Sequence, residues 1–418
     1  MHYDTALRAY TSKRIEEINS ANILVGIPCL NNEKTIAHVI QVISQGLAKY
    51  YKDRRCVIFI ADGGSTDDTR QVAKEIQTKA WQEKIVSIYR GPRGKGTALR
   101  SVFETAKRLE VQTCAIVDPD IRSITPDWVK YLIDPVSERG YQFVAPVYLR
   151  HKYDGTITNN IVYNLTRALY GKRLRQPMGG DFAFSRDVAN FYGEQDVWET
   201  DVALYGIDVW MTTNALTQSF RICQTNLGVK IHEGVYPELH LGPIFRQVLW
   251  TIFFLMERFE SHWKRVQGSE PVETFGYEGY VEPESLTVDL GGMVEHFKVG
   301  YQQFSPFWKN IFSHASFEEI QNAAKMDSTQ FHLSTDSWVR VLYELAAVFH
   351  AWSSNRYRLI DMMTPLYYAR VASFVQQSWQ MSSQEAEELV EEQAKKFEEN
   401  KDYLIQLWGQ KLEDKTRL

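Results

Sequence analysis

The chain has 418 residues, of which 44% are hydrophobic and 24% are charged, and its formal net charge is -5. This length allows two or three domains, and the composition is that of an ordinary soluble globular protein. The acidic balance excludes a general basic surface for nucleic acid.

Residues 1–18 are charged and lack an apolar signal core, and the most apolar run, residues 248–256, is far shorter than a membrane span. We therefore expect a soluble, cytoplasmic protein with no membrane and no nucleic-acid partner. The four cysteines are widely spaced and form neither a zinc pattern nor a disulfide framework, which predicts buried thiols in a reducing compartment. They are Cys29, Cys56, Cys114 and Cys223.

From residue 22 to about 147, short apolar strands alternate with helical segments. Strands are predicted at residues 23–27, 57–61, 86–89, 113–117 and 143–147. Helices are predicted between them at residues 35–50, 65–79 and 96–109. Continuous apolar strands separated by helices predict an α/β fold, in which helices cover both faces of a parallel sheet.

After residue 241 the sequence becomes helical and aromatic. The pattern predicts a helix over 243–266, a surface loop over 267–292 and amphipathic helices over 317–408. We therefore predict two domains, a catalytic α/β domain at residues 1–240 and a helical domain at residues 241–418.

Two carboxylates, Asp118 and Asp120, directly follow the fourth predicted strand. Residues two apart in an extended chain point the same way, so both can face one divalent cation, Mg²⁺ or Mn²⁺. Such a cation usually completes its shell with substrate phosphates, which suggests an enzyme that uses a nucleoside diphosphate. The competing interpretation is a strand-end turn without a ligand.

Polar side chains follow three of the predicted strands, in the segments 28–33, 62–68 and 118–120. Ligands of open parallel sheets bind outside the carboxyl ends of the strands, where these segments meet. Each segment alone is also good turn chemistry. The occurrence of all three at one edge favours a binding site.

In these segments the chain resembles the nucleotide-sugar glycosyltransferases of the GT-A fold, over about residues 22–240. Pro28, Asn31 and Glu33 match the turn after their first strand. The segment 62–67, Asp-Gly-Gly-Ser-Thr-Asp, matches the turn after their second strand with one extra glycine. The segment 118–120 matches their Asp-x-Asp metal motif.

The segment 90–99, Arg-Gly-Pro-Arg-Gly-Lys-Gly-Thr-Ala-Leu, is a glycine-rich loop with Lys95 ahead of a predicted helix. Its flexible backbone can approach a diphosphate, and Lys95 supplies a positive charge. A solvated basic loop is the alternative. Together with segments 176–181 and 226–232, this loop is similar to the retaining synthases of glucosyl-3-phosphoglycerate, mannosylglycerate and glucosylglycerate.

The resemblance implies roles for individual residues. It implies a metal site of Asp120 and His232, with Asp118 as a further ligand, and His240 is the rival to His232. Catalytic roles near the reacting sugar are implied for Lys95, Asp181 and Asp208, and an N-terminal helix cap is the competing role for Asp208. Donor binding is implied for Pro28, Leu30, Asn31, Glu33, Asp62, Lys95, Val117, Asp118, Pro119, Asp120, Gly179 and Gly180.

Acceptor binding is implied for Arg150, Thr158 and Asp208. Arg150 and Thr158 have the spacing of an arginine and a threonine that hold glycerate in mannosylglycerate synthases. The arginine fork suits a carboxylate, because it donates two parallel hydrogen bonds. The phosphoglycerate enzymes have adjacent arginines where this chain has Arg150 alone, which favours unphosphorylated glycerate. The neighbouring His151 and Lys152 are equally able to contact a phosphate.

We therefore expect a retaining, divalent-metal-dependent enzyme, and the resemblance also implies a homodimer. It would move glucose or mannose from a GDP- or UDP-hexose to D-glycerate, or alternatively to 3-phosphoglycerate. Other readings are an inverting transferase acting on a lipid phosphate or polysaccharide, a nucleotidyltransferase, and an inactive binding protein on the same fold. The last would be expected to lack the aspartate pair or the loop lysine, and both are present.

Overall fold

An eight-stranded sheet forms the centre of the first of two compact units. A computed structural model gives this architecture for residues 3–233 and 237–410, with the side chains of 237–241 outside the description. The strands are β1 (Ile23–Cys29), β2 (Cys56–Asp62), β3 (Glu83–Ile88), β4 (Thr113–Ile116), β5 (Phe143–Leu149), β6 (Phe182–Ser185), β7 (Ile222–Val229) and β8 (Thr274–Gly276). Their order is β8-β7-β5-β6-β4-β1-β2-β3. Neighbouring strands are parallel except at β6, which runs antiparallel to β4 and β5.

The helices connect and surround these strands. In chain order they are α1 (Ala9–Ile18), α2 (Ile36–Tyr50), α3 (Thr69–Glu75), α4 (Lys95–Arg108), α5 (Pro126–Ser137), α6 (Tyr163–Tyr170), α7 (Arg186–Gly193), α8 (Ile207–Thr217), α9 (Pro237–Arg258), α10 (Glu260–Trp263), α11 (Leu290–Ile311), α12 (His314–Lys325), α13 (Thr335–Ala351), α14 (Arg356–Asp361), α15 (Thr364–Ser378), α16 (Ser383–Glu399) and α17 (Lys401–Trp408). None of those that the structure describes is both long and apolar enough to cross a membrane.

Both faces of the sheet are covered, as the continuous apolar strands predict. Ile23, Val25 and Ile27 join one apolar cluster with α2 and α5. Gly26 lies against α4, where an added Cβ would be 2.7 Å from Cγ1 of Val102. Strands β1 and β2 are consequently buried along their whole length. The predicted α/β fold is confirmed.

The carboxyl ends of β1 and β4 border the point where the strand order reverses. β2 and β3 lie on one side of β1, and β4 lies on the other. β1 pairs with β2 as far as Cys29 and Asp62, and with β4 as far as Gly26 and Ile116. Ligands of doubly wound sheets bind at this crevice. The strand order, with one antiparallel strand among parallel ones, confirms the predicted GT-A fold.

The second compact unit is helical. It contains α6 and α9 to α17 together with a π-helical turn, Thr158–Val162. The first unit comprises the described residues of 1–149, 174–234 and 271–283, and the second those of 150–173, 235–270 and 284–418. The second unit thus includes the helical C-terminal region that the sequence predicts.

The division differs from the single predicted boundary near residue 241. Residues 150–173 belong to the helical unit because their polar groups bond to α16, as where Arg167 donates to Glu391 (2.6 Å) and Glu398 (3.0 Å). The predicted surface loop over 267–292 contains β8, which pairs with β7 and so returns residues 271–283 to the first unit. A three-residue strand leaves too little periodicity to be detected in a sequence.

One local prediction changes in detail, and another is confirmed. The helix predicted over 65–79 is limited to α3, since the residues before it form a turn after β2. The four cysteines are free and buried, as predicted.

Candidate active site

Asp62 ends β2 and is completely buried. Its Oδ1 accepts hydrogen bonds from the backbone N–H groups of Gly64 (2.8 Å) and Ser65 (3.0 Å), and its Oδ2 accepts one from the Ser65 hydroxyl. The carboxylate therefore fixes the turn that follows the strand. Its contact with a donor nucleotide stays a prediction.

Asn31 and Glu33 join the turn after β1 to the turn after β2. Oδ1 of Asn31 accepts a hydrogen bond from the N–H of Thr66 (2.9 Å), and Oε2 of Glu33 accepts one from the N–H of Asp68 (3.1 Å). Leu30, in the same turn, is 43% exposed. The two turns form one rigid edge, with apolar surface from Leu30 open to a ligand.

The glycine-rich loop is held against residues 201–204. The N–H of Gly96 donates to the carbonyl of Leu204 (3.1 Å), and a Cβ on Gly96 would lie only 1.8 Å from the carbonyl oxygen of Val202. No side chain fits at this position. The close approach sets the start of α4 and with it the position of Lys95, the first residue of that helix.

Lys95 points inward and connects three elements. Its Nζ lies 2.9 Å from Oδ1 of Asp118, 3.1 Å from Oδ2 of Asp208 and 3.4 Å from the carbonyl oxygen of Gly180. Burial lowers the pKa of Lys95, but the carboxylates of Asp118 and Asp208 outweigh burial, so the pKa is raised. A solvated basic loop does not describe Lys95, whose side chain is only 14% exposed.

Asp208 lies in the first turn of α8 and makes no helix-cap hydrogen bond. Its carboxylate faces Lys95, and its Oδ1 is buried without a hydrogen-bond partner among the described residues. Burial raises the pKa of Asp208, and the positive charge of Lys95 opposes the rise. Because an unsatisfied buried oxygen is costly, this atom is suited to accept a hydrogen bond from a ligand hydroxyl.

A second lysine, Lys230, completes the charge network and had no predicted role. Its Nζ lies 3.0 Å from Oδ2 of Asp118, 2.9 Å from Oδ2 of Asp181 and 3.0 Å from the carbonyl oxygen of Gly179. Its side chain is 4% exposed. The motif on which the resemblance rests does not specify the residue type at this position. Only the structure shows that two aspartates lie close enough to compensate the charge of a buried lysine.

Asp118 and Asp181 are held rigidly by this network. Burial raises the pKa of Asp118, but the charges of Lys95 and Lys230 outweigh burial and hold the pKa well below its usual range. Oδ1 of Asp181 accepts the backbone N–H of Asp118 (2.8 Å), and its Oδ2 also accepts the hydroxyl of Tyr148. Both oxygens of Asp118 thus face ammonium groups, so Asp118 is a less suitable metal ligand than Asp120.

Asp120 and His232 are brought together by backbone pairing. Ile121 and His232 form an antiparallel β-bridge, and the N–H of Glu233 donates to the carbonyl of Asp120 (3.0 Å). The carboxylate of Asp120 has no hydrogen bond or ion pair with the residues that the structure describes. Its pKa is raised by burial and by the charge of Asp118.

A divalent cation fits this donor set. Within residues 3–233 and 237–410, no three histidine, cysteine or acidic side chains are grouped as a complete protein metal site. A carboxylate and an imidazole nevertheless suit a cation that takes its other ligands from substrate phosphates. Asp120 and His232 as ligands stay a prediction, and the side chain of the rival, His240, lies outside the described residues.

The remaining residues that are predicted to bind the donor lie near the ends of β1 and β4. Pro28 lies in β1, and Val117 follows β4, with its N–H bonded to the carbonyl of Gly26 (3.0 Å). The carbonyl of Pro119 accepts a hydrogen bond from the hydroxyl of Thr35 (2.9 Å). The backbone after β4 is therefore tied to the segment that precedes α2.

Gly180 must be glycine for Asp118 to keep its place. Its φ is 94°, and an added Cβ would lie 1.9 Å from Oδ2 of Asp118. We expect Gly180→Ala to lower kcat about 100-fold, because the added Cβ displaces Asp118 and a misplacement of about 1 Å in a site costs about that much. Initial-rate kinetics measures the loss.

Gly140→Ala is the matched control for backbone strain alone. Gly140 also has a positive φ, 70°, but its nearest neighbour to an added Cβ is a nitrogen of Arg221 at 3.6 Å. The kcat of this variant should stay near that of the parent enzyme. Similar losses in both variants would contradict the steric argument.

The predicted acceptor residues Arg150 and Thr158 belong to the second unit. They lie near each other: a Cβ on Gly155 would be 3.2 Å from Nη1 of Arg150 and 4.0 Å from Cβ of Thr158. Nη1 of Arg150 lies 3.9 Å from Asp154. Lys152 donates to the carbonyls of three residues at the end of α15, namely Ser378 (2.6 Å), Trp379 (3.1 Å) and Met381 (2.6 Å).

The sequence profile of glycosyl transferase family 2 matches residues 24–190, which carry the crevice, the loop lysine and the aspartate pair. Residues 24–190 are therefore similar to the family 2 glycosyltransferases. A curated relative, glucosyl-3-phosphoglycerate synthase of Petrotoga mobilis, is 27% identical over an alignment of 243 residues, and the match covers 53% of this chain and 69% of the relative. The match to family 2 and the similarity to this relative together indicate a hexosyltransferase.

Solved structures of glucosyl-3-phosphoglycerate synthase from Mycobacterium tuberculosis are also similar to this chain. The complex with Mn²⁺, uridine diphosphate and phosphoglyceric acid is 25% identical, with a TM-score of 0.44, and the match covers 58% of this chain and 82% of that one. The complex with Mg²⁺ and uridine diphosphate is 24% identical, with a TM-score of 0.43, and covers 58% and 83%.

Proposed function

We propose that the protein is a retaining, divalent-metal-dependent glycosyltransferase that moves glucose or mannose from a nucleoside diphosphate to the hydroxyl of D-glycerate. The observation that carries this proposal is the inward position of Lys95 between Asp118 and Asp208, at the switch point of the sheet. An ammonium group there meets the diphosphate of a donor bound in the crevice.

The charges around Lys95 support a cation as a further participant. Lys95 and Lys230 face four aspartates, Asp118, Asp120, Asp181 and Asp208. This excess of acidic groups in a buried site suits a divalent cation that is delivered with the donor. Asp120 and His232 would hold it, and when bound it would act as a Lewis acid on the diphosphate.

Of the other residues, Lys95 and Asp208 would act on the substrates, and Lys230 would position the carboxylates beside them. Lys95 would neutralise charge on the departing diphosphate, while Lys230 keeps Asp118 and Asp181 in place. The buried Oδ1 of Asp208 would accept a hydrogen bond from a sugar or acceptor hydroxyl. We infer retention from the resemblance to the retaining synthases. Retention needs no strong general base, because the departing phosphate oxygen can take the acceptor proton on the same face of the sugar.

The acceptor proposed is glycerate, because a basic residue near Arg150 is already engaged with the protein backbone. Lys152, one of the basic residues following β5, is engaged with three backbone carbonyls. Arg150 would pair with the acceptor carboxylate, and Thr158 lies beside it. The specific observation in favour of 3-phosphoglycerate is the name of the curated relative, so it is the second candidate.

Turnover with a panel of substrates tests the proposal. GDP-glucose, UDP-glucose and GDP-mannose should each be combined with D-glycerate, 3-phosphoglycerate and glycolate, in the presence of Mg²⁺ or Mn²⁺. We expect the highest kcat/KM with D-glycerate, and an α-linked product by ¹H NMR. A higher kcat/KM with 3-phosphoglycerate would establish the second candidate, and a β-linked product would reject retention.

Arg150→Ala tests the acceptor assignment. We expect the KM for glycerate to rise about 10-fold to 100-fold with a smaller change in kcat, because a bidentate carboxylate contact is lost. Arg173→Ala is the control, since Arg173 is exposed and donates to Ser269 (3.0 Å) within the same unit. An unchanged KM in Arg150→Ala would reject Arg150 as the acceptor ligand.

The cellular setting follows from the same features. The four buried, free thiols fit a reducing compartment such as the cytoplasm. A homodimer, implied by the resemblance, is part of the proposal and is tested by sedimentation velocity.

A further inference from the structure

The helical unit contains a pocket of about 670 Å³ that the proposed reaction does not use. This volume is within the range of small-molecule sites, about 300–1,000 Å³. Its wall is formed by the end of α15, the turn before α16 and the turn after α12. The polar and aromatic lining residues are Ser328, Thr329, Gln376, Gln377, Trp379 and Gln380.

The aromatic surface of the pocket is the indole of Trp379. This residue is 60% exposed, the largest exposure among the bulky apolar residues described. An indole offers a flat apolar face and one N–H donor, so it suits a ligand that has both an apolar face and hydroxyls. A pyranose ring has such a face, formed by its C–H groups, and hydroxyls around its edge.

Glutamine side chains lie near the indole of Trp379 in the pocket wall. Gln377 and Gln380 make no side-chain hydrogen bond to the residues described, and each amide offers both donors and acceptors. Sugar hydroxyls also donate and accept. A row of amides next to an exposed indole therefore matches the edge and the face of one sugar ring.

The pocket is rigid where these groups are attached. Lys152 donates to the carbonyls of Ser378, Trp379 and Met381 and so fixes the turn that carries Trp379. Nε2 of Gln376 donates to the carbonyl of Thr329 (2.8 Å), which joins two walls of the pocket. Such pre-organisation lowers the entropic cost of binding.

The charge of the residues that line the pocket indicates which class of ligand the pocket can bind. Within the part of the chain that the structure describes, Glu385 is the one ionisable lining residue, and it accepts hydrogen bonds from the N–H (2.7 Å) and hydroxyl (2.9 Å) of Ser382. No cation lines the pocket in these residues. The lining is therefore unsuited to nucleoside diphosphates, sugar phosphates and glycerate, which are anions.

We propose that this pocket is a second carbohydrate site, which binds a neutral hexopyranoside with the ring stacked on Trp379. The inference does not depend on the identity of the acceptor in the transfer reaction. It assigns to the helical unit a binding role for a neutral glycoside, either free or as the end of a longer glycan.

Saturation-transfer NMR and calorimetry on the full chain test this site, with methyl α-D-glucopyranoside, maltose and glucose 6-phosphate as probes. We expect saturable binding of the two neutral sugars and weaker binding of glucose 6-phosphate. Tighter binding of maltose than of the monosaccharide would identify a glycan end as the ligand, and equal binding would identify a single hexoside.

Variants separate this pocket from the crevice. Trp379→Ala should lower the affinity for the neutral sugars about tenfold, and Gln380→Ala should lower it less. Trp81→Ala is the matched control, because Trp81 is a 40% exposed tryptophan in the first unit. The affinity of this variant for the neutral sugars should equal that of the parent protein. Absence of saturable binding would overturn the proposal. Binding that survives Trp379→Ala but is lost in Asp208→Ala would overturn it too, by placing the sugar in the crevice.

Discussion

Replacing Asp120 with alanine is expected to lower the rate of hexosyl transfer at least about 1,000-fold. The loss of one group that stabilises transition-state charge lowers the rate about 100-fold to 1,000-fold. The loss of a metal ligand should lower it further, because the cation is lost with it. The carboxylate has no hydrogen bond or ion pair with the described residues, so its removal should not disturb the fold. Burial and the charge of Asp118 raise its pKa, and the charges of Lys230 and His232 oppose the rise.

The measurements must distinguish a loss of metal binding from a loss of folded protein. Initial rates of nucleotide release give the activity, and Mn²⁺ binding in the presence of nucleoside diphosphate, followed by electron paramagnetic resonance, gives the metal affinity. Both should fall in Asp120→Ala, while the thermal midpoint should not.

Asp127→Ala serves as the control for the Asp120 experiment. Asp127 is a surface aspartate paired with Lys49 (2.9 Å), and the activity of this variant should equal that of the parent. Parental turnover or Mn²⁺ affinity in Asp120→Ala would refute the metal assignment.

Replacing Lys230 with methionine is expected to lower the free energy of unfolding by about 3–5 kcal/mol, the usual cost of breaking a buried ion pair from one side. Asp181 is completely buried and loses its cation, although Tyr148 and the N–H of Asp118 still bond to it. Asp118 keeps Lys95 but loses the group that fixes its second oxygen. We also expect kcat to fall, because Asp118 and Lys95 share that network.

Two further variants test whether the loss of stability comes from the buried charges. Lys107→Met removes an exposed pair with Glu194 (2.8 Å, side chains 53% and 59% exposed) and should cost less than about 1 kcal/mol. The double variant Lys230→Met/Asp181→Asn removes both buried charges and should recover part of the lost stability. Urea unfolding measures all of them.

Two results would contradict the prediction for Lys230→Met. If Lys230→Met and Lys107→Met shift the unfolding midpoint equally, the buried network does not stabilise the first unit. If the double variant is no more stable than Lys230→Met, the charge left on Asp181 is not the cause of the loss.

Much of the catalytic region is predictable from the sequence because its signals are local. The apolar runs of β1, β2 and β4 end in polar turns, and in a parallel sheet the carboxyl ends of strands share one edge. This rule brings Asp62 and Asp118 to the same side of the sheet without any knowledge of the side-chain contacts. The glycine-rich loop ahead of a helix likewise predicts the position of Lys95.

The partners of those residues were not predictable, because they come from distant parts of the chain. Lys230 is separated by 112 residues from Asp118, and the sequence has no local feature that pairs them. The pairing of Lys95 with Asp208 spans 113 residues. Local patterns report burial and turns, whereas ion pairing depends on where complete elements cross in space.

The sequence by itself determined the alternation of strands and helices, the polar strand ends and the residue types able to bind a diphosphate and a cation, because backbone periodicity and turn chemistry act over a few residues. Only the tertiary structure decided which ammonium meets which carboxylate, that the oxygens of Asp118 are shared by two lysines, and that residues 150–173 belong to the helical unit. Those outcomes are set by the balance of desolvation against charge pairing, which exists only once distant segments are buried together.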